Sequence, residues 1–509
     1  MNNDVILGID LGTIDSCAAI FRNGAVETVP DTDGHKIIAS MVCYKEDNDL
    51  FLYGETARDN SLEFAKTTMF ESKRFIGNKK FKFKEVQNDI DHLPVKIIED
   101  KATGKPKYQI KQKEGIKEYF PEDVSSMILE YIKNYCEVFK GYKSKIKKTI
   151  ITVPAHFNKW EREATLKAGT DAGLTNIGLL NEATAAAIAY GDKFKSDKKM
   201  KILIFDIGGG TFDVSILSVK GKTYKVLSSC GDSHLGGEDF NQLLFDYVIK
   251  EAQKDKVFKD VDFTKPRTLK RLRKEVEKKK RELSKIEEAS FFIEALKGDK
   301  DFKLIIKRKK YEELCMKLWN RMFDVVKRAL KIAKIDKNEL DNVIFVGGPT
   351  RTPKIEEMAK NFFGTIEILK TVNVEEVVAQ GAALSGNQDL IIEDTISKSI
   401  GIEIGNETMN EIIPQGMNLP IAGKTYVCAK KYTLKKGNKA KQKIKIFEGN
   451  SQNIKENDYI GEFTITLDED EKDILIQMKI DHNLILHVTA VVNGKKKENM
   501  NIEMKTITE

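Results

Sequence analysis

Val5–Phe21 reads VILGIDLGTIDSCAAIF, and Lys201–Leu217 reads KILIFDIGGGTFDVSIL. Each stretch is an apolar run, an aspartate, a glycine turn, a threonine and a second apolar run, with Asp10 and Thr13 in the first and Asp206 and Thr211 in the second. Apolar, β-branched runs punctuated by glycine predict two strands joined by a tight turn. The tip of such a turn exposes backbone N–H groups and a hydroxyl and fixes one carboxylate beside them. Two copies of this unit far apart in the chain imply two lobes of like design.

Working outward, PEDVSSMILEYIKNYCEVF spaces its apolar residues helically behind Pro121, and NEATAAAIAYG predicts an alanine-rich helix ending at Gly191. Amphipathic stretches from about Thr268 to Glu288 and from Tyr311 to Ala333 add helices to the second half. Both halves are therefore α/β. After Gly381 the pattern changes, and from Ile400 onward short alternating runs such as KQKIKIFEG, GEFTITL, DILIQMKID and LILHVTAVV lie between turn residues, predicting a separate β domain. The expected division is 1–386, a linker at 387–396, and 397–509. The linker holds DLIIED, Asp389–Asp394, in which Leu390, Ile391 and Ile392 are apolar where a connector is ordinarily polar. It reads either as the first strand of the β domain or as a docking segment buried in one state and exposed in another.

With 509 residues the chain needs several cores, and 41% hydrophobic with 32% charged residues is a soluble globular composition. No apolar run approaches the ~20 residues that span a bilayer. Asp4, Asp10 and Gly12 interrupt the start MNNDVILGIDLG, which does not read as a secretory signal, so a cytoplasmic location without membrane contact is expected. Cys17, Cys43, Cys136, Cys230, Cys315 and Cys428 are scattered and read as reduced, mostly buried thiols, with neither disulfides nor zinc. The net charge of +7 is dispersed in mixed stretches such as KEVEKKKRELSKIEE, which reads as a solvated helix face. No nucleic-acid-binding motif accompanies it, so direct nucleic-acid binding is not expected.

A nucleoside triphosphate needs donors around its oxygens, a divalent ion between its β- and γ-phosphates, and acids to hold that ion's waters. Gly12, Thr13, Gly208, Gly209, Gly210 and Thr211 would clamp the phosphates from two sides, and Asp10 and Asp206 would hold Mg²⁺ through water. A lone glycine turn would be weak evidence; two matched copies, each with a strand-terminal Asp, are stronger. A third turn, IFVGGPTRTPKI with Gly347, Gly348 and Arg351, reads either as a plain strand-to-helix turn ahead of Pro353 or as a nucleoside floor with Arg351 stacked on the base.

GIDLGT, ESKRFIG, VPAHFN, NEATAAAIAYG, IFDIGGGTFDVSI, GDSHLGGEDFN and GGPTRTPKI stand in the order and context of the 70-kilodalton heat-shock chaperones, which the chain resembles from its start through the β domain. The resemblance implies a two-lobed actin-like, ribonuclease H-like ATPase domain followed by a β-sandwich peptide-binding domain. By it Lys73 looks like the catalytic lysine, Glu182 like an acid organising water and metal, and Asp213 like an acid implicated in hydrolysis, alongside Asp206 and Thr211. Glu277, Lys280, Arg281 and Ser284 resemble an adenosine-contacting helix. Pro154 and Arg162 match positions that relay the nucleotide signal, and Leu390, Ile391, Ile392 and Asp394 match the coupling linker. Met409, Val427 and Ile444 are candidates for the peptide pocket, and burial in the β core is the competing reading for each. The implied ligands are ATP or ADP, Mg²⁺ and, as an accessory ion, K⁺. The implied partners are unfolded or nascent polypeptides, a J-domain co-chaperone and a nucleotide exchange factor.

Departures accompany the matches. The chain ends at Glu509 just past the last β run, so the family's helical lid is expected to be missing and client complexes short-lived. Gln442 stands where the family usually has an aliphatic pocket residue, and Gly178 where an arginine helps dock J-domain partners. Near the nucleotide, Ile14 and Asp15 replace more typical polar or aromatic residues, Pro349 a serine, Glu375 an aspartate and Ala183 a proline. The leading reading is a slow ATPase chaperone. A lidless ATP-binding co-chaperone or ribosome-associated scaffold that need not hydrolyse ATP is the alternative. A small-molecule kinase on the same fold would leave the linker and β domain without a purpose.

Overall fold

The computed structural model describes residues 5–496 apart from 92, 140–145, 195–197, 233, 371–372, 387–389, 394, 397, 418–425, 434–439, 468–472, 481–485 and 493–494. The two repeated stretches form antiparallel hairpins. Val5–Asp10 pairs with Asp15–Arg22, setting Asp10 opposite Cys17, and Met200–Ile207 pairs with Phe212–Lys220, setting Asp206 opposite Asp213. Each hairpin is the middle of a mixed sheet. Ile146–Val153 and then Ile177–Asn181 run parallel beside the first, while Asn342–Val346 and then Glu367–Leu369 run parallel beside the second. On the far side an antiparallel strand continues each sheet, Ala25–Thr28 in one and Thr223–Asp232 in the other. The repeated sequence pattern is thus a repeated topology. Both aspartates lie at the carboxyl edge of parallel strands, beside Thr152 and Val346, where open α/β sheets bind ligands.

Two helices of small residues pack between the sheets. Val377–Ser385 lies on the first, so close that a Cβ at Gly8 would stand 2.2 Å from the Ala383 nitrogen. Glu182–Phe194 contributes Ala185, Ala186, Ala187 and Ile188 to a core shared with Ile202, Ile204 and Val219 of the second sheet. The helices meet where a Cβ on Gly381 would be 1.7 Å from the Ala185 carbonyl oxygen. Two glycines read from sequence as punctuation are therefore packing devices. The helix does not end at Gly191 but continues to Phe194, because glycine there admits the Tyr224 ring; a Cβ would meet its Oη at 2.2 Å. Likewise the pattern change placed after Gly381 comes at the end of the helix, Ser385. The charged helix runs Pro266–Leu283 and gives way to a strand at Glu288, and the next helix is Arg308–Ala333.

Beyond residue 399 the described elements are strands and one short 3₁₀ turn, as the alternation predicts. Met409–Ile413, Ile400–Glu403, Ala440–Glu448 and Asp458–Leu467 form one four-stranded antiparallel sheet. Tyr426–Thr433, Asp473–Ile480, Leu486–Val492 and Lys495–Lys496 form a second. Period-two residues of both, among them Ile444, Ile446, Ile476, Met478 and Val488, share one core. Ile391–Glu393 joins neither of these sheets; it pairs in parallel with Thr223–Lys225 at the edge of the second α/β sheet, reinforced by Lys225–Glu393 at 3.1 Å. All six cysteines are free, five of them buried. Among the described residues no helix is long and apolar enough to cross a membrane.

Candidate nucleotide site

The two hairpin tips face each other across a cleft of about 560 Å³. Asp10, Gly12, Thr13, Ile14 and Asp15 line it from the first sheet, and Asp206, Gly208, Gly209 and Thr211 from the second. Lys73, Glu182, Glu277, Lys280, Arg281, Ser284, Gly347, Gly348, Pro349, Arg351 and Glu375 complete most of the wall. The glycines are required by proximity: a Cβ at Gly209 would lie 2.4 Å from Ile14, and one at Gly347, where φ is +83°, would lie 2.0 Å from the Ile207 carbonyl oxygen. Gly210 and Asp213 lie instead at a smaller cavity and a buried pair behind the second hairpin.

Lys73 sits at the centre of the electrostatics. Its Nζ donates to the Leu11 carbonyl at 2.6 Å and to Glu182 Oε1 at 2.6 Å, and lies 5.6 Å from the centre of the Phe157 ring. Burial, joined by the Glu182 charge, pushes the Asp10 carboxyl up to about 7 against the pull of Lys73. Burial, then Glu182, Asp213 and Asp10, push Asp206 well up too. Three buried carboxylates with one ammonium among them are short of positive charge, and a hard divalent cation beside Asp10 and Asp206 would supply it. The donor set thus fits Mg²⁺.

The third turn and the charged helix close the cleft from above. Arg351 bonds Glu375 Oε2 at 3.1 Å, and Lys280 donates to the Gly237 carbonyl at 2.9 Å. Against burial, Arg281, Lys280 and Arg58 hold the Glu277 carboxyl below its ordinary value. The helix read as a solvated face therefore presents one face to the cleft and buries Leu272, Val276 and Leu283 behind it. Sequence reasoning missed Arg58, which binds Asp15 and, at 2.7 Å, Glu55. The departure at position 15 thus does not set a bare carboxylate against a triphosphate. It also missed Phe240, Glu238 and Gly237 in the wall. Their signal was the GGEDF run, whose Gly237 and Glu238 amides bond the Gly208 and Gly209 carbonyls at 3.0 and 2.7 Å and so buttress the second tip.

The other candidate residues lie away from the cleft. Arg162 rides on a helix capped by Asn158, whose side chain accepts from the Glu161 amide. Its guanidinium bonds the Phe157 and Ala155 carbonyls and Asn181, and Pro154 is buried at the head of the same segment. The neighbouring Trp160 packs on the core of the C-terminal sheets. A cavity of about 40 Å³ there is shared by Phe157, Lys159 and Arg162 with Ile396, Ile400 and Glu448. Leu390 and Ile392 pack on the core of the second α/β sheet, whereas Ile391 is 43% exposed; Asp394 lies outside the described residues. Ile444 belongs to the core between the two C-terminal sheets, and Met409 to a separate cluster with Phe447 and Ile454. The backbone of Val427 pairs with Lys479, and its side chain, like that of Gln442, lies outside the described residues.

Paired acid-and-glycine tips about a buried lysine form an α/β cleft whose chemistry fits a polyanion with a divalent metal. Comparison with known proteins is specific. A family model described as "Hsp70 protein" matches residues 6–508. Heat shock cognate 70 kDa protein 3 of Dictyostelium discoideum is 37% identical over 99% of this chain and 80% of its own length. Heat shock 70 kDa protein 2 of Paracoccidioides lutzii is 36% identical over 97% of this chain and 76% of its own. The chain belongs to the Hsp70 family, whose members are chaperones and ATPases that bind ATP or ADP with Mg²⁺.

Proposed function

We propose that this chain is an ATP-dependent chaperone that hydrolyses ATP in the cleft between its two α/β sheets and couples hydrolysis to binding of unfolded or nascent polypeptides. The architecture proposed is a two-lobed actin-like ATPase domain over 1–386, a coupling linker at 387–396 and a β-sandwich over 397–509. The observation that carries the reading is Lys73 bonded to Glu182 and to the carbonyl of Leu11, between the buried carboxylates of Asp10 and Asp206. Asp10 and Asp206 would hold Mg²⁺, which when bound neutralises charge on the β- and γ-phosphates. The amides at Thr13, Gly209 and Thr211 would cradle phosphate oxygens, those of Gly12 and Gly208 being already donated to Ser16 Oγ and the Thr211 carbonyl, and Lys73 sets a positive charge where the γ-phosphate would lie. Glu182, fixed by Lys73, orients the attacking water, and the Glu277–Ser284 face with Arg351 holds the nucleoside.

Coupling is supported by the strand Ile391–Glu393 on the edge of the second sheet and by Trp160 against the C-terminal core. A J-domain co-chaperone and an exchange factor are the further partners proposed. Single-turnover hydrolysis of ATP with and without an apolar peptide tests the reading: ADP should form, and faster with peptide. ATP bound without turnover would instead favour the non-hydrolysing scaffold.

A further inference from the structure

Behind the second hairpin, His156 meets Asp213, its Nδ1 3.1 Å from Asp213 Oδ1. The pair occupies a recess that glycine alone leaves open: a Cβ at Gly231 would lie 2.6 Å from His156 Nδ1 and 2.5 Å from Asp213 Oδ1. Asp213 is 1% exposed, and among the described residues neither its Oδ2 nor His156 Nε2 has a hydrogen-bond partner, although both atoms are buried. Buried polar atoms without partners call for a ligand or a water. His156 lines a cavity of about 10 Å³, room for about one water, together with Thr13, Lys73 and Thr211. Those three residues also line the nucleotide cleft. The cavity therefore links the place of hydrolysis to a histidine not yet given a role.

We propose that His156 positions Asp213 and takes up, through one water in this cavity, the proton released when ATP is hydrolysed. This rests on the ATPase reading above. In the step, the attacking water's oxygen bonds to the γ-phosphorus, and the bond from that phosphorus to the bridging oxygen breaks with its electron pair leaving on ADP. The freed proton passes through the cavity water to Nε2. A neutral imidazole with its Nδ1 proton donated to Asp213 leaves Nε2 as the acceptor, and the imidazolium formed is held by the Asp213 carboxylate until it loses the proton to solvent. The charged and titratable groups facing the imidazole are Asp213, Lys73, Arg74, Lys79, Glu161 and His234, the last of which pairs with Asp89 at 3.3 Å.

The test is the single-turnover rate of ATP hydrolysis from about pH 5.5 to about pH 8.5, with ATP affinity measured in parallel. Wild type should lose rate toward acid pH, and the raised Asp10 and Asp206 carboxyls contribute part of that loss. His156→Gln should bind ATP as wild type does, turn it over about 100-fold more slowly and keep only the part of the acid limb that those two carboxyls contribute. His234→Gln should retain the limb. If His156→Gln is unstable, His156→Phe keeps the ring packing at Phe157 and should behave the same way. A Gln or Phe variant with the wild-type rate and acid limb overturns the inference while leaving the ATPase reading intact. A wild type that binds ATP and never turns it over overturns both.

Discussion

Replacing Lys73 by alanine removes an ammonium that is 8% exposed and makes two 2.6 Å hydrogen bonds, to Glu182 and to the Leu11 carbonyl. Losing one preorganised donor aimed at developing charge costs about 10²–10³ in rate, or about 2.7–4 kcal/mol. Two further consequences follow from the same geometry. Lys73 is the cation that holds down both Asp10 and Asp206, so its loss raises both carboxyls further. They then take up protons, and the stability loss should fall short of the roughly 3–5 kcal/mol of an uncompensated buried ion pair. The variant should still bind ATP when Mg²⁺ is present, since the phosphate-facing amides are untouched and the divalent ion displaces the protons from the two carboxyls. The assay is single-turnover conversion of labelled ATP, paired with a binding titration. A rate within about threefold of wild type in a variant that binds ATP would refute the assignment of Lys73 to the reaction.

Glu448 lies buried at the cavity shared by the Arg162 helix and the C-terminal sheets, where burial pushes its carboxyl up to about 7 despite Lys398 and Arg162. Its folded value exceeds the ordinary 4.5, so its contribution to stability is complete below that value and is lost as pH rises through about 7. The ceiling on this term is about 3 kcal/mol; denaturation at acid and alkaline pH should show a loss in wild type that Glu448→Gln reduces, and an unchanged loss would count against the buried placement. In the linker, Ile392 packs on the core while Ile391 is 43% exposed, so Ile392→Asp should abolish peptide stimulation of the ATPase and Ile391→Asp should weaken it less; equal effects, or none, would contradict docking through Ile392.

What could be read in the sequence was what local chemistry dictates. Asp10 and Asp206 declared themselves because an acid before a glycine turn has few other uses at a strand end, and the duplication brought the second hairpin with it. The alternation beyond Ile400 gave the β strands, but not which face of Met409 or Ile444 is occupied by core, since a period of two names faces without saying what covers them. Glycine was misread where it mattered for packing: Gly191 and Gly381 admit Tyr224 and the Ala185 carbonyl, partners distant in sequence. The Pro266–Leu283 helix carried too much charge to look like a wall, because Lys280 and Glu277 acquire their partners only on folding. Arg58 beside Asp15 and His156 beside Asp213 were invisible for the same reason.

The central claim is that the two aspartate-bearing tips grip one magnesium-bound triphosphate between them. Calorimetric titration of ATP into the wild-type chain and into Asp10→Asn and Asp206→Asn, each with Mg²⁺ and with a chelator, tests it directly. Wild type should bind ATP more tightly with Mg²⁺ than without, by about tenfold or more, and each Asn variant should lose most of that difference. Wild-type protein that ignores ATP, or Asn variants whose Mg²⁺ dependence equals that of wild type, would contradict the account.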